Sequence, residues 1–253
     1  MEEKSRNRFV IIIALILVAA VFYSFAINLF GETPSVELAD INEDAQNSAT
    51  VPVEPGDIVP VDVTPETVQS VIAELDRYTS YQRSVVVEYF QGNETLGSLI
   101  ALVAVDGGWT RADVTGQNGL VEHSIVGDGT RWLWYDSDTD YLRTPASESS
   151  ADLAQRLPTY EDVLDVDPEA ITAASYESRG ELPCIYVEVE QAELGYQERY
   201  WISVESGLLV SAETIKDGQV VYRMSSYQVT SPLVDSEGSF TLPDGTVLHQ
   251  AGD

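Results

Sequence analysis

The chain has 253 residues, and its 42 Asp and Glu residues against 13 Lys and Arg residues give a formal net charge of −29. So acidic a surface repels phosphate backbones and anionic headgroups, which argues against nucleic acid as a partner. Cys184 is the only cysteine, so no internal disulfide can form.

Residues 9–30, FVIIIALILVAAVFYSFAINLF, form an uncharged apolar run that predicts a transmembrane helix. At ~1.5 Å per residue such a helix spans about 33 Å, enough for a bilayer core of about 30 Å. Lys4, Arg6 and Arg8 precede the run, so the positive-inside rule predicts a cytoplasmic tail at residues 1–8. A cleaved signal peptide is the alternative, but the run is longer than the apolar region of most signal peptides. The predicted location is a bacterial cell membrane, crossed once, with the rest of the chain outside the cytoplasm.

Residues 31–63 predict a disordered acidic linker. The stretch contains several prolines, no aromatic residue and no basic residue, and it has neither a helical nor a strand period. Low hydrophobicity combined with charge of one sign cannot offset the entropy lost on ordering. The linker would hold a domain at residues 64–253 clear of the membrane.

The domain is predicted to open with an amphipathic helix. Thr64 is a suitable N-cap, and Pro65 suits the first helical position. Apolar residues then recur at the i, i+3, i+4, i+7 spacing of a helix that buries one side. These residues are Val68, Val71, Ile72 and Leu75.

Short β-rich segments joined by Asn-Gly and Asp-Gly turns follow and predict an antiparallel meander. The longest of these segments is TLGSLIALVAV, residues 95–105. Residues 141–166 interrupt the pattern with helix-like spacing on both sides of Pro158, and the strands then resume. About ten strands, a leading helix and a helical insertion predict an α+β, mainly-β domain built on one antiparallel sheet.

Three segments carry a resemblance to a known family. They are DGTRWLWYDSDTDYLRT at 128–144, YWISVESGLLVSAET at 200–214 and FTLPDGT at 240–246. In these segments and in the order of its elements, the chain resembles the LolA/LolB-like superfamily of bacterial lipoprotein carriers and receptors, which includes sigma-factor regulatory proteins of the RseB/MucB type. The resemblance implies an antiparallel half-barrel whose concave side is plugged by the helical insertion and holds acyl chains. The implied partners are a lipid, a lipoprotein or another envelope protein.

The predicted ligand-binding residues lie on the long strand and among the tryptophans. Because side chains alternate along a strand, one set within residues 95–105 is expected to face a cavity, either the set with Leu102 or the set with Leu99. Trp132 and Trp134 share one side of their strand, and they could line that cavity, stack on sugars or pack in an ordinary core. The cavity candidates are Leu96, Leu99, Ile100, Leu102, Trp109, Trp132, Trp134 and Trp201.

The sequence predicts no catalytic residue, metal ligand or cofactor. The acidic stretch 136–140 resembles the start of a calcium loop, but Tyr141 stands where an EF-hand needs glycine, and Ser147 stands where it needs glutamate. The histidines and Cys184 lack the spacing of zinc ligands. An acidic turn is the simpler interpretation of residues 136–140.

Three hypotheses about function follow. The leading one is a non-enzymatic, membrane-tethered binding domain for an acyl chain, a lipoprotein or a partner protein in envelope maintenance or sensing. The alternative is a cell-wall domain that binds glycan through exposed aromatic residues. The third is an enzyme that uses carboxylates, although no pair of acidic residues is singled out by an apolar setting.

Overall fold

The structure is a computed structural model that describes residues 62–136, 138–148, 150–233 and 239–251. The predicted cytoplasmic tail at 1–8, the predicted transmembrane helix at 9–30 and nearly all of the predicted linker lie outside the described residues. Among the residues that are described, no helix is long and apolar enough to cross a membrane.

The described residues form an open antiparallel sheet of twelve strands. The strands are β1 Ser80–Gln91, β2 Glu94–Asp106, β3 Trp109–Thr115, β4 Val121–Gly127, β5 Thr130–Tyr135, β6 Leu142–Pro145, β7 Ile171–Arg179, β8 Leu182–Gln191, β9 Tyr196–Ser203, β10 Leu209–Lys216, β11 Gln219–Ser225 and β12 Val229–Thr230. Their order in the sheet is β6-β5-β4-β3-β2-β1-β11-β10-β9-β8-β7, and β12 also pairs with β1. Two meanders therefore meet where β1 pairs with β11.

The prediction of a mainly-β domain is confirmed, but the strand count differs from about ten. β6 lies inside residues 141–166, for which the sequence pattern predicts a helical insertion. β12 is a separate two-residue strand, because the chain leaves the sheet after β11 and returns to pair with Gln82 and Arg83. The C-terminal segment, residues 239–251, has one isolated bridge, between Thr241 and Val247.

The predicted leading helix is present as α1, Val68–Glu74. It is shorter than the apolar spacing suggests, because the backbone of Leu75 is already extended, with φ −63° and ψ 134°. The insertion contains a short helix, α2, at Glu161–Leu164. It also contains two 3-10 turns, at Leu153–Gln155 and Pro168–Ala170.

One face of the sheet, named the helix face below, is covered by α1 and the insertion. Side chains that are paired across antiparallel strands point to the same side, and the strand registers place Val85, Ala101 and Ile185 on this face. These residues join Val68 of α1 and Val163 of α2 in the largest buried cluster. The helix face is therefore a packed core.

The opposite face, named the tail face, carries two smaller clusters. At one end, Phe240 and Leu242 of the C-terminal segment pack against Trp132. At the other end, Cys184 and Trp201 lie in a cluster of their own. Between these clusters, the tail face of β1 and β2 has no cover from the described part of the chain, and aliphatic side chains of β2 are exposed there.

Candidate binding surfaces of the sheet

The structure divides the candidate residues of β2 between the two faces. Leu99 points to the helix face, where it is partly buried against the core. Ile100 and Leu102 point to the tail face and are 47% and 58% exposed, and Leu96, which is 47% exposed, lies at a register shift in the pairing of β1 with β2. The strand alternation thus separates the two sets as the sequence requires, and the exposed set is the one with Leu102.

Trp109, Trp132 and Trp134 come together on the tail face beneath the C-terminal segment. The rings of Trp109 and Trp132 stack with their centroids 6.0 Å apart, and Phe240 packs edge-on against Trp109 at 6.4 Å. Trp109 also lies over Gly127, where an added Cβ would stand 2.1 Å from the ring. Trp132 and Trp134 are each only 7% exposed, so neither offers a free ring face.

Trp201 lies in β9, away from the other tryptophans. It is 5% exposed, and its ring lies 5.2 Å from the ring of Tyr186. The indole Nε1 donates to Glu177 at 3.2 Å, and the guanidinium of Arg179 lies 3.9 Å from the ring centroid. The structure therefore places Trp201 and Trp109 in two separate packed clusters.

The histidines take part in the packing of the tail face. His249 of the C-terminal segment contacts Asp106 at 2.8 Å through Nε2, and its ring is stacked 5.4 Å from that of Trp109. His123 is stacked on Trp134 at 5.2 Å. Within the described residues, no group of three or more His, Cys, Asp or Glu side chains is placed to hold a metal ion.

An aliphatic stripe, defined as the exposed residues Leu96, Ile100 and Leu102, runs along β2, and Ile100 and Leu102 lie on the uncovered part of the tail face. Val86 of β1 lies directly opposite Ile100 and adds a partly exposed side chain to the stripe. A strand advances about 3.3 Å per residue, so the stripe extends over roughly 20 Å. Exposed apolar side chains that lie close together on one strand are a candidate interaction site.

A groove of about 460 Å³ begins at the end of the stripe. Its apolar lining comes from Leu102 and Ala104, whereas most of its other side chains are polar. One wall is an ion pair, in which Arg111 Nε lies 2.9 Å from Asp113 Oδ1, and Arg111 also donates to the Ser239 carbonyl at 3.1 Å. The remaining lining residues are Gln82, Arg83, Ser84, Val103, Gln228 and Thr230.

A buried polar network joins the insertion to the helix face, and none of the sequence patterns predicts it. Arg83 is 5% exposed and donates to the Leu209 carbonyl at 2.9 Å and to Gln155 Oε1 at 2.6 Å. Gln155 donates to the Tyr81 hydroxyl at 2.7 Å, and that hydroxyl donates to Asp152. A signal was available, since Arg83 interrupts the alternating apolar row of β1.

The insertion also holds a carboxyl group that ionises with difficulty. The pKa of Asp162 is raised from 3.8 to about 6, chiefly by burial and to a smaller extent by the carboxylates of Glu198, Asp165 and Glu161. The backbone N–H of Thr159 donates to Asp162 at 2.7 Å and opposes this rise of the pKa. The insertion therefore approaches the helix face with an electrostatic cost at neutral pH.

Comparisons with known proteins return likenesses to solved structures. No family model matches the chain, and no curated protein matches it. The solved structures include MucB, at 16% identity over 66% of this chain with a TM-score of 0.40. They also include LprF from Mycobacterium bovis, at 14% identity over 67% of this chain and 92% of LprF with a TM-score of 0.36. The Mycobacterium tuberculosis lipoprotein LppX matches at 12% identity over 67% of this chain and 95% of LppX, with a TM-score of 0.36.

The chain spans 58% of the MucB structure, which is less than two thirds of that protein. The resemblance found in the sequence named proteins of the MucB type, and MucB is among the solved structures to which this chain is similar.

Proposed function

We propose that this chain is a non-enzymatic binding domain, tethered to the membrane outside the cytoplasm, and that its ligand is a partner protein. The partner docks on the aliphatic stripe and enters the groove beside it. The observation that carries this proposal is the line of exposed aliphatic side chains leading into a groove with polar walls. The tether and the location belong to the proposal and rest on the sequence pattern of residues 1–63.

The polar walls favour a polypeptide over an acyl chain as the ligand. An acyl chain in the groove would take the side-chain amides of Gln82 and Gln228 out of water without giving them hydrogen-bond partners, which is costly. A polypeptide supplies N–H and C=O groups to those amides and apolar side chains to Leu102.

The helix face gives an acyl chain no better place. The resemblance implies that a ligand lies beneath the helical insertion, but Val163 of α2 and Ile72 of α1 are both fully buried against that face. An acyl chain would have to displace these contacts and the hydrogen bonds between Gln155 and Arg83. The energy lost would offset much of the gain from burying the chain.

The glycan hypothesis requires aromatic rings with free faces, and the structure does not favour it. Trp132, Trp134 and Trp201 are between 5% and 7% exposed. The large aromatic residues that are more exposed lie on different elements and include Tyr135, Tyr176 and Tyr227. These tyrosines do not line up as the aliphatic stripe does.

A photo-reactive amino acid introduced at position 102 of the full chain tests the proposal in intact cells. We expect one discrete adduct with the mass of a protein. Position 194 is a matched control, because Leu194 is 61% exposed but lies in the turn between β8 and β9. It should give no adduct.

The substitution Ile100→Ser, made in the chain that carries the photo-reactive residue at position 102, provides a second test of the proposal. Losing one aliphatic contact from an interface costs about 1.4 kcal/mol, so the adduct should become about tenfold weaker. An adduct with the mass of a lipid would contradict the proposal, because the ligand would then be an acyl chain and not a protein. Equal labelling at positions 102 and 194, or none at either, would show that the stripe is not a binding site.

A further inference from the structure

The two edge strands of the open sheet differ in length and in proline content. The edge strand β6 has four residues and ends at Pro145, which has no N–H to offer. The other edge strand, β7, has nine residues and contains no proline. Within the described residues, the backbone of Ala173 to Ser178 pairs only with β8, and Thr172 lies at a register shift in that pairing. β7 therefore presents a long row of unpaired backbone donors and acceptors.

The two faces of β7 differ in chemistry. Ala174 and Tyr176 are paired with core residues of β8, so both point to the helix face. Tyr176 remains 57% exposed there. Ser175 and Glu177 point to the tail face, where Glu177 accepts the hydrogen bond from Trp201. An added strand would thus meet apolar side chains on one side and a carboxylate on the other.

The surroundings of this edge are acidic. The base closest in sequence, Arg179, is held by Glu213 at 2.7 Å and lies over the ring of Trp201. Its charge is therefore offset in part within the protein, because Glu213 also contacts Arg223 at 3.0 Å. The acidic residues before, within and just after β7 are Asp165, Asp167, Glu169, Glu177 and Glu181.

We infer that the free edge of β7 is a strand-addition site for an extended polypeptide that alternates apolar and basic residues. The added strand pairs its backbone with β7, places its apolar side chains beside Tyr176 and places its basic side chains beside Glu177. A second copy of this chain is a poor occupant, because each copy has a formal net charge of −29 and brings the same acidic residues to the edge. This site is separate from the aliphatic stripe, since five strands (β8 to β11 and β1) lie between β7 and β2.

The test uses the full chain in nanodiscs of zwitterionic lipid and a capped nonapeptide of alternating Lys and Val residues. Residue-resolved amide hydrogen exchange is measured with and without the peptide. We expect slower exchange at alternate amides of β7, and no change in β6 or in β2. A nonapeptide of alternating Glu and Val has the same apolar residues, and it should protect none of these amides.

Two further controls separate backbone pairing from charge attraction. A Lys–Val peptide that is N-methylated on the side facing β7 cannot donate to it, and we expect it to bind about tenfold more weakly. Glu177→Gln keeps an acceptor for Trp201 and removes the charge, so it should weaken binding most at low salt. Three results would each overturn the inference: protection, in the free chain, of the β7 amides that point away from β8; equal binding of the N-methylated peptide; or protection confined to the stripe.

Discussion

The helix face and the tail face of the sheet are built from similar apolar residues, but α1 and the insertion cover the helix face of β2, whereas its tail face is left exposed. The contrast is sharpest within β2, where Val103 is 2% exposed and its neighbour Leu102 is 58% exposed. Val103 lies under α1 and the insertion, whereas Leu102 has no segment of the described chain above it. The two residues are both aliphatic, and they differ in whether another part of the chain packs over them.

This difference shows which part of the molecule provides stability and which part is available for contact. Polar groups on the helix face bond to one another within the protein, as the bonds among Arg83, Gln155 and Tyr81 show. Arg83 Nε is the exception in this network, since it is buried with no hydrogen-bond partner among the described residues. Polar groups around Leu102 instead line an open groove. We therefore expect substitutions on the helix face to change the free energy of unfolding, and substitutions on the stripe to change binding.

The largest expected effect comes from Ile185→Ala on the helix face. Ile185 is fully buried, so removing its side chain leaves a void among close contacts and should lower the free energy of unfolding by about 2–5 kcal/mol. Denaturant unfolding measures the loss. Leu194→Ala is the control at an exposed position and should change it by less than about 0.5 kcal/mol. If Ile185→Ala melts normally and takes up an apolar dye, the helix face is a cavity and not a core.

Asp162→Asn should stabilise the protein at neutral pH. The carboxyl of Asp162 has its pKa raised from 3.8 to about 6, chiefly by burial, so the folded state favours the protonated form. Ionising it at pH 7 costs up to about 3 kcal/mol, which the neutral amide avoids. Asparagine also keeps an oxygen that can accept from the Thr159 N–H.

The sign of the pH dependence provides the check on this prediction. Between pH 4 and 6 the folded state binds more protons than the unfolded state, so stability falls as pH rises through this window. The advantage of Asp162→Asn should therefore be full above about pH 6 and vanish below about pH 4. Unfolding at several pH values measures it, with the exposed Glu181→Gln as control. A constant difference across this range would contradict the assigned cause.

Tyr81→Phe should have a smaller effect, because it removes one hydroxyl from the buried network. That hydroxyl accepts from Gln155 and donates to Asp152, and losing it should cost about 1–2 kcal/mol. Hydrogen exchange should show faster opening of residues 150–170. Tyr135→Phe is the control, since its exposed hydroxyl donates to Glu122 at 2.9 Å. Equal effects of the two substitutions would mean that the network does not fix the insertion.

The sequence predicts the sheet and its leading helix well, because turn residues and periodicity are local signals. It misses β6, since four residues of LRTP within a helix-like stretch carry no strand period. In residues 95–105 both alternating sets are apolar, so the pattern shows two faces but cannot say which one is covered. That depends on residues 68–74 and 150–170, which reach β2 only through the tertiary fold.

The tryptophans show the same limit. The spacing of Trp132 and Trp134 correctly predicts that both share a face, and the structure puts that face under Phe240. Nothing periodic links residues that lie a hundred positions apart, so this cover is not visible in the sequence. The polar network is a partial exception, because Arg83 occupies a core position in the alternation of β1.

The smallest expected effect on stability is that of Leu102→Ser. Leu102 is 58% exposed, so the folded state has few contacts to lose there, and the free energy of unfolding should change by less than about 0.5 kcal/mol. Val103→Ala on the same strand removes a smaller amount of apolar surface, yet it should cost about 1–3 kcal/mol because Val103 is packed. Denaturant unfolding of both variants compares the two faces at neighbouring positions. A partner that docks on the stripe buries Leu102, so Leu102→Ser should also reduce the adduct formed by a photo-reactive residue at position 96. If Leu102→Ser destabilises the protein as much as Val103→Ala does, Leu102 is covered in solution and the stripe is not free for a partner.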